Sequence, residues 1–380
     1  MDGNDHGNGP SRRRFDQLVH TLSYGDAIST EVIALQRVFI EAGFESAIFA
    51  INVHPFYLGR SNTARGPIKK FGELQRVVHG EASLLLHYSL GSPLNELFRE
   101  IKGYRRGLVY HNLTPAHFFE GINPVLVQNL SSGSEELPAL CELCDFLVAD
   151  SEFNAADLKR VSTRAREHGV VILPLLVEPS RFSGEANPGF AALLRGTKGI
   201  NVLHVGRLVP NKGYEAIVRA FYFLRKQIDP EARLWLVGID IDSELYSFTL
   251  KRMVDAWGLT DAVEFLGQRS DGELRALYEN CSVYLCLSEH EGFCLPVIEA
   301  MHFGLPVVST SHGALAETIA DGGVLIDAAR PSLVAELVAE VAKNGGLRER
   351  VIGAGRKRVS AFSPELFYAA VQRDLISSAR

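Results

Sequence analysis

The chain has 380 residues, of which 46% are hydrophobic and 22% charged, with a formal net charge of -6. That length predicts two domains with cores of ordinary size, and the modest, dispersed charge excludes a nucleic-acid groove. No run approaches the ~20 apolar residues of a membrane span.

Residues 1–14, MDGNDHGNGPSRRR, are polar and Gly-rich. They lack the apolar stretch of a secretory signal and read as a disordered tail. This predicts a cytoplasmic protein. The basic clusters Arg12-Arg13-Arg14, Lys69-Lys70 and Arg105-Arg106 read first as solvated surface. They also leave room for an anionic acceptor or a peripheral contact with the inner membrane face. The five cysteines, Cys141, Cys144, Cys281, Cys286 and Cys294, are odd in number and irregular in spacing, as in a reduced protein. Cys141 and Cys144 form a CxxC without a second pair, so they read as core thiols; a closed metal site needs about four ligands.

Along the chain, short apolar runs alternate with amphipathic helical stretches, the mark of parallel sheets with crossover helices. DQLVHTLS is the first predicted strand, and a helix follows over 28–42, ended by Gly43. SAIFAIN, ASLLLHYS, GLVYHN, DFLVADS and VVILPLLV complete the first half. NVLHVG, LWLVG, VEFLG, VYLCLS and PVVST form the second, with Gly304 as the helix C-cap before the last. The fold class is thus α/β: two Rossmann-like doubly wound domains facing a cleft. The boundaries fall at 15–180 for the first domain and 181–362 for the second, with a terminal segment 363–380. Ligands in such sheets bind beyond the carboxyl ends of the strands, so the residues just after each strand carry the functional reading.

Two of these junctions stand out. After VYLCLS comes the loop Ser288-Glu289-His290-Glu291-Gly292-Phe293, and Pro296 sits at a favoured first-turn helix position. Amides of a Gly-containing loop and the positive end of a helix together accept a phosphate. Glu291 and Glu299, with seven residues between them, flank that site. Carboxylates accept hydrogen bonds from vicinal hydroxyls, so each can hold one sugar ring. After NVLHVG, Arg207 and Lys212 flank a turn before a helix; two cations there suit a diphosphate. Asp240-Ile241-Asp242 has a metal-site spelling but reads as the start of a helix. A G-x-G-x-x-G fingerprint follows none of the first strands, which argues against a dehydrogenase. SYGDAIS, after the first strand, offers Gly25 for close approach to a ligand, Asp26 as an N-cap and Ala27 at the helix start. His111 and Asn112 end GLVYHN, His87 and Ser89 end LLLHYS, and Ser151 is a cap for the helix of SEFNAADL.

The segment EGFCLPVIEAMHFGLPV and the turn GRLVPNKG resemble the signature of the family-4 retaining glycosyltransferases, which have the GT-B fold, and in particular bacterial polysaccharide and lipopolysaccharide mannosyltransferases. Cys294 stands where that pattern more often has Gly. The resemblance implies that Glu291 holds hydroxyls of the transferred sugar and Glu299 the ribose. It implies that the amides of Gly292, Phe293, Cys294 and Leu295 hold the distal phosphate, with Arg207 and Lys212 on the diphosphate. By the same resemblance the base lies near Gln268-Arg269, His111 stands beside the reacting centre, the loop of Gly25, Asp26 and Ala27 faces the phosphates and acceptor together with Asn112 at the end of GLVYHN, and the last helix, 364–376, crosses back to the first domain.

The implied activity is transfer of a hexose, mannose preferred, from a nucleoside-diphosphate sugar (GDP-mannose before UDP-hexoses) to a glycan or lipid-linked acceptor. It needs no cofactor and no metal, and the anomeric configuration is retained. A GT-B epimerase, a phosphorylase and a non-catalytic nucleotide-sugar-binding protein are the alternative readings.

Overall fold

A computed structural model describes residues 13–58 and 66–377; the side chains of residues 79 and 80 fall outside that description. Two all-parallel sheets carry the chain. The first comprises β1 (Arg14–Leu22), β2 (Ile48–Val53), β3 (Ile68–Lys70), β4 (Val77–Tyr88), β5 (Lys102–Tyr110), β6 (Phe146–Ala149) and β7 (Val171–Ile172), in the order β3-β2-β1-β4-β5-β6-β7. The second comprises β8 (Asn201–Val205), β9 (Arg233–Val237), β10 (Val263–Gly267), β11 (Val283–Cys286), β12 (Val307–Ser309) and β13 (Val324–Leu325), in the order β10-β9-β8-β11-β12-β13. This is the expected pair of doubly wound domains.

Both sheets are covered on both faces, which explains their unbroken apolar runs. Leu84, Leu85 and Leu86 of β4 are all buried, yet Leu84 and Leu86 enter one core and Leu85 the opposite one. Val307 and Val308 of β12 divide in the same way. In each sheet one strand marks the reversal of winding: β1 lies between β2 and β4, and β8 between β9 and β11. Chain leaving β1 and β4, or β8 and β11, diverges there and opens a crevice at the carboxyl ends.

Two readings of the sequence need correction. The first twelve residues, Arg12 among them, lie outside the described residues, but Arg14 already pairs with Ala82 in β1, so it belongs to the sheet, not to a tail. Lys69 and Lys70 are exposed, as read, on the edge strand β3. Asp240-Ile241-Asp242 is a loop before the helix Glu244–Ala256, with Asp242 at a left-handed φ of 66°.

The helix Pro364–Ala370 and the helical turn Val371–Ile376 pack on the first domain: Phe367, Val371, Leu375 and Ile376 share a core with Phe15, Leu35, Phe39 and Leu85. Cys141 and Cys144 are buried in the first-domain core, where burial pushes both thiols up in pKa, that of Cys141 to about 12.

The shared core makes a prediction. Leu375→Ala should cost ~2–5 kcal/mol, as for a fully buried leucine, and lower the first-domain melting transition as much as Leu85→Ala. Differential scanning calorimetry of the two variants checks this; a Leu375 change that left the melt untouched would contradict the packing.

Candidate active site

The two divergent loops of the second domain meet. Gly213 has φ +68°, and a Cβ on it would lie 2.0 Å from the Leu287 carbonyl oxygen, so the turn after β8 rests directly on the end of β11. That contact needs glycine both for its conformation and for its lack of a side chain. It brings Lys212 to Glu291, with Nζ 2.7 Å from each carboxylate oxygen. The Ser288 hydroxyl donates to Glu291 Oε1 at 2.9 Å. Asn211 stitches the loops further: its carbonyl accepts from the Glu289 amide, and its side-chain amide donates to the His290 carbonyl at 3.1 Å. Burial opposes a charge on Lys212, but the Glu291 carboxylate outweighs it and raises the lysine's pKa.

The helix Leu295–His302 starts here. Cys294, its N-cap, is held at a left-handed φ of 76° and gives no side-chain cap. The first-turn amides of this helix and its positive end therefore face the Glu291 loop without a side-chain acceptor. One turn on, Glu299 is buried and accepts from Arg181 Nη1 at 3.1 Å and Tyr278 Oη at 2.8 Å. Arg181 also donates to Asp271 at 2.6 Å. Burial raises the pKa of Glu299, and Arg181 opposes that rise. Arg181 and Tyr278 went unrecognised in the sequence: Arg181 comes from the short helical turn Pro179–Phe182, and 118 positions separate it from Glu299. Cys286, Glu291 and Cys294 each bring a ligand atom within 4.8 Å of the others, but Glu291 is already matched by the Lys212 cation.

The first domain closes on these loops. A Cβ on Gly292 would lie 2.7 Å from Asn112 Cβ and 3.1 Å from the His111 carbonyl oxygen, so Gly292 packs on the end of β5. Asn112, itself at φ 73°, bonds His290 Nε2 at 2.5 Å and donates to Asn154 at 2.8 Å. Ser151 caps the helix Glu152–Val161 as expected, and its hydroxyl also donates to the Gly292 carbonyl at 2.8 Å. Glu317 of the second domain accepts from the Glu152 and Phe153 amides at that same helix start. A carboxylate there complements the positive end of the helix. On the other side of the cleft Asp26 caps the helix Ala27–Glu41, and Gln268 reaches the Tyr24 carbonyl at 3.4 Å beside Gly25. Ala27 packs against second-domain core residues.

His111 lies inside the first domain, its side chain almost wholly buried. Its Nδ1 is 3.0 Å from Asp150, and its Nε2 is 2.9 Å from Nδ1 of His87. His87 Nε2 is 2.9 Å from the Gln17 side-chain oxygen, and Gln17 Nε2 donates to the Val32 carbonyl at 3.0 Å. One proton pattern satisfies the chain: His111 donates to Asp150 and to His87, and His87 donates to Gln17. Burial alone would lower the pKa of His111; Asp150 and Glu31 outweigh it and raise it to about 9. Burial holds His87 well below the usual value, and His111 adds to this. Both ring nitrogens of His111 are thus engaged within the first domain, and what it presents to the Gly292 loop is its backbone.

Of the remaining expected site residues, Arg207 is exposed and donates to the Ile241 carbonyl at 3.2 Å, turned from the Lys212–Glu291 pair. Arg269 pairs with Glu273 at 3.3 Å and stands over the Phe190 ring. Phe293 and Leu295 belong to or border the second-domain core, so only their backbones face a ligand.

With this geometry in hand, the chain can be placed among known proteins. Residues 190–358 match the family described as Glycosyl transferases group 1, so the second domain is a domain of that family. Over 97% of its length the chain superposes on all of a sucrose-phosphate synthase from Thermosynechococcus elongatus (TM-score 0.72, 20% identity). It superposes equally well on the Anabaena protein HepE in complex with UDP-glucose (TM-score 0.72, 17% identity, 96% of this chain and 99% of that one). These superpositions establish the GT-B fold. Mannosylfructose-phosphate synthase of Agrobacterium fabrum is 32% identical over 47% of this chain and 40% of its own length. GDP-mannose:cellobiosyl-diphosphopolyprenol alpha-mannosyltransferase of Xanthomonas oryzae pv. oryzae is 35% identical over 30% and 29%. The matched stretch thus spans less than half of either curated relative.

The Lys212–Glu291 pair carries its own test. Lys212→Met should destabilise the second domain by ~3–5 kcal/mol, because a buried carboxylate loses its partner. Adding Glu291→Gln should recover most of that loss. Thermal melts of the two single variants and the double variant measure the coupling; strictly additive losses would show that the pair is not coupled.

Proposed function

We propose that the chain is a glycosyltransferase that moves a hexose, mannose before other sugars, from a nucleoside-diphosphate donor to a glycan or lipid-linked hydroxyl with retention at the anomeric carbon. The observation that carries this reading is the Lys212–Glu291 pair at the start of a helix without a side-chain cap, where two loops diverge. A donor satisfies both members at once: its diphosphate takes the Lys212 ammonium and the helix amides, and its sugar hydroxyls take the freed Glu291 carboxylate. Glu299, across the helix turn, is the second hydroxyl acceptor, and the ribose is its fitting partner. Arg207 sits on a mobile-length side chain near the same turn and swings from the Ile241 carbonyl to the phosphates.

In the chemical step the bond from the anomeric carbon to the diphosphate oxygen breaks, and the acceptor oxygen bonds that carbon from the same face. Its proton passes to a donor phosphate oxygen. Lys212, Arg207 and the helix amides stabilise the charge on the departing diphosphate, each well-placed group contributing ~3–4 kcal/mol. The polar contacts of Asn112, Ser151 and Gln268 with the opposite domain are of the kind that opens and re-forms as substrates enter and leave. The named activities of the Agrobacterium and Xanthomonas relatives support mannose as the sugar, and the UDP-glucose complex of HepE supports a nucleotide-sugar donor.

A thermal-shift and turnover screen over nucleotide sugars tests the reading; GDP-mannose should stabilise the chain most. Glu299→Ala and Lys212→Ala should each lower kcat/KM at least tenfold, a loss of ~1.4 kcal/mol or more in transition-state binding, with circular dichroism unchanged. Wild-type turnover in either variant would overturn the site. Separately, the rate should not respond to added Mg²⁺ or Mn²⁺ or to brief EDTA exposure; complete loss on chelation would reject metal-free departure of the diphosphate.

A further inference from the structure

The helix Ala27–Glu41 places Glu31 inside the first domain with no exposed surface. Neither of its carboxylate oxygens has a hydrogen-bond partner. The ionic neighbour of Glu31 is His111 Nδ1 at 3.6 Å, and burial raises the acid's pKa to about 8; a buried acid without hydrogen bonds is costly, and what it faces is specific. His87 and His111 each bring a ring nitrogen, and Glu31 an oxygen, within 4.8 Å of one another. The other nitrogen of each ring is held by an oxygen: His111 Nδ1 by Asp150 at 3.0 Å, with Glu31 3.6 Å from the same atom, and His87 Nε2 by Gln17 at 2.9 Å. Ligating histidines are characteristically held in this way, by a carboxylate or carbonyl oxygen on the non-ligating nitrogen.

We infer that Glu31, His87 and His111 form a binding site for a first-row divalent cation, with Zn²⁺ the best match to two imidazoles and a carboxylate. His87 Nδ1 and His111 Nε2 face each other at 2.9 Å across a shared proton. Zinc–nitrogen bonds of ~2.0–2.1 Å in a tetrahedral array set ligand nitrogens roughly 3.4 Å apart, so the rings need part by only about half an ångström. The ion takes the place of that proton, which is released, and Glu31 gains a ligand bond in addition to its 3.6 Å ion pair with His111. The site ties the helix Ala27–Glu41 to β4 and β5 at the first-domain switch point, and all of its ligands come from that one domain. Ligands drawn from the inside of a packed domain release an ion slowly, so brief chelation leaves it in place.

The test uses the full chain and reads metal, not turnover, so it is independent of the proposed transfer reaction. Chain produced with Zn²⁺ present and freed of loose ions by gel filtration should carry one zinc per molecule by mass spectrometry of digested protein. Reconstitution with Co²⁺ should give the visible bands of a tetrahedral site. Glu31→Gln should weaken Zn²⁺ affinity at least tenfold, and Asp150→Asn, which removes only the outer partner, ten- to a hundredfold. Folding of each variant is followed by circular dichroism. Wild-type chain that retains no zinc and gives no cobalt bands overturns the inference whatever the variants do. So does zinc content that is equal in wild type and folded Glu31→Gln.

Discussion

A lysine ammonium bonded to both oxygens of a buried carboxylate holds the second-domain loops together, and the rest of the site is arranged around it. Lys212 and Glu291 are 79 positions apart, on loops that leave adjacent strands β8 and β11 in opposite directions. Taking two charges out of water is expensive, and close geometry with further hydrogen bonds is what makes such a pair tolerable. Here the bond is bidentate, and Ser288 supplies the additional donor. The pair also fixes a charge pattern. Beside it a helix without a side-chain cap leaves positive potential, and one turn along that helix a second acid, Glu299, is matched by Arg181. Acids and cations thus alternate across a short distance.

The two domains meet through backbone, small polar groups and an apolar patch in which Val209 packs with Phe119 and Leu130. Gly292 rests on Asn112 and the His111 carbonyl, Ser151 reaches the Gly292 carbonyl, and Glu317 covers the start of a first-domain helix. The terminal helical segment differs: its Phe367, Val371 and Leu375 join the first-domain core outright. One connection is therefore built from a shared core, and the other mixes polar contacts with a small apolar patch.

The first-domain network of Gln17, His87, His111 and Asp150 shows how a histidine at a strand end can be turned inward. His111 donates to Asp150 and to His87, and His87 donates on to Gln17, so every ring nitrogen is engaged. A network so fully satisfied is rigid, and it fixes the end of β5 against which Gly292 closes. Glu31 alone stands outside this pattern, in contact range of His111 at 3.6 Å yet without a hydrogen bond.

The sequence by itself determined the architecture and the second-domain half of the site. Apolar runs such as LLL in β4 and PVV before β12 mark strands buried on both faces, and the order of strands and helices fixes a doubly wound topology. Lys212, Glu291, Gly292 and Glu299 were legible because they lie within a few residues of a strand end or a helix start, where local spacing dictates position. Tertiary structure decided what arrives from far along the chain: Arg181 on Glu299, Asp150 and Glu31 around His111, and the Tyr24 carbonyl under Gln268. It also decided direction. No local pattern shows that Arg207 turns toward Ile241, or that His111 faces inward. Those orientations depend on which partner satisfies a charge or a ring nitrogen, and partners of that kind are assembled only when distant strands pack side by side.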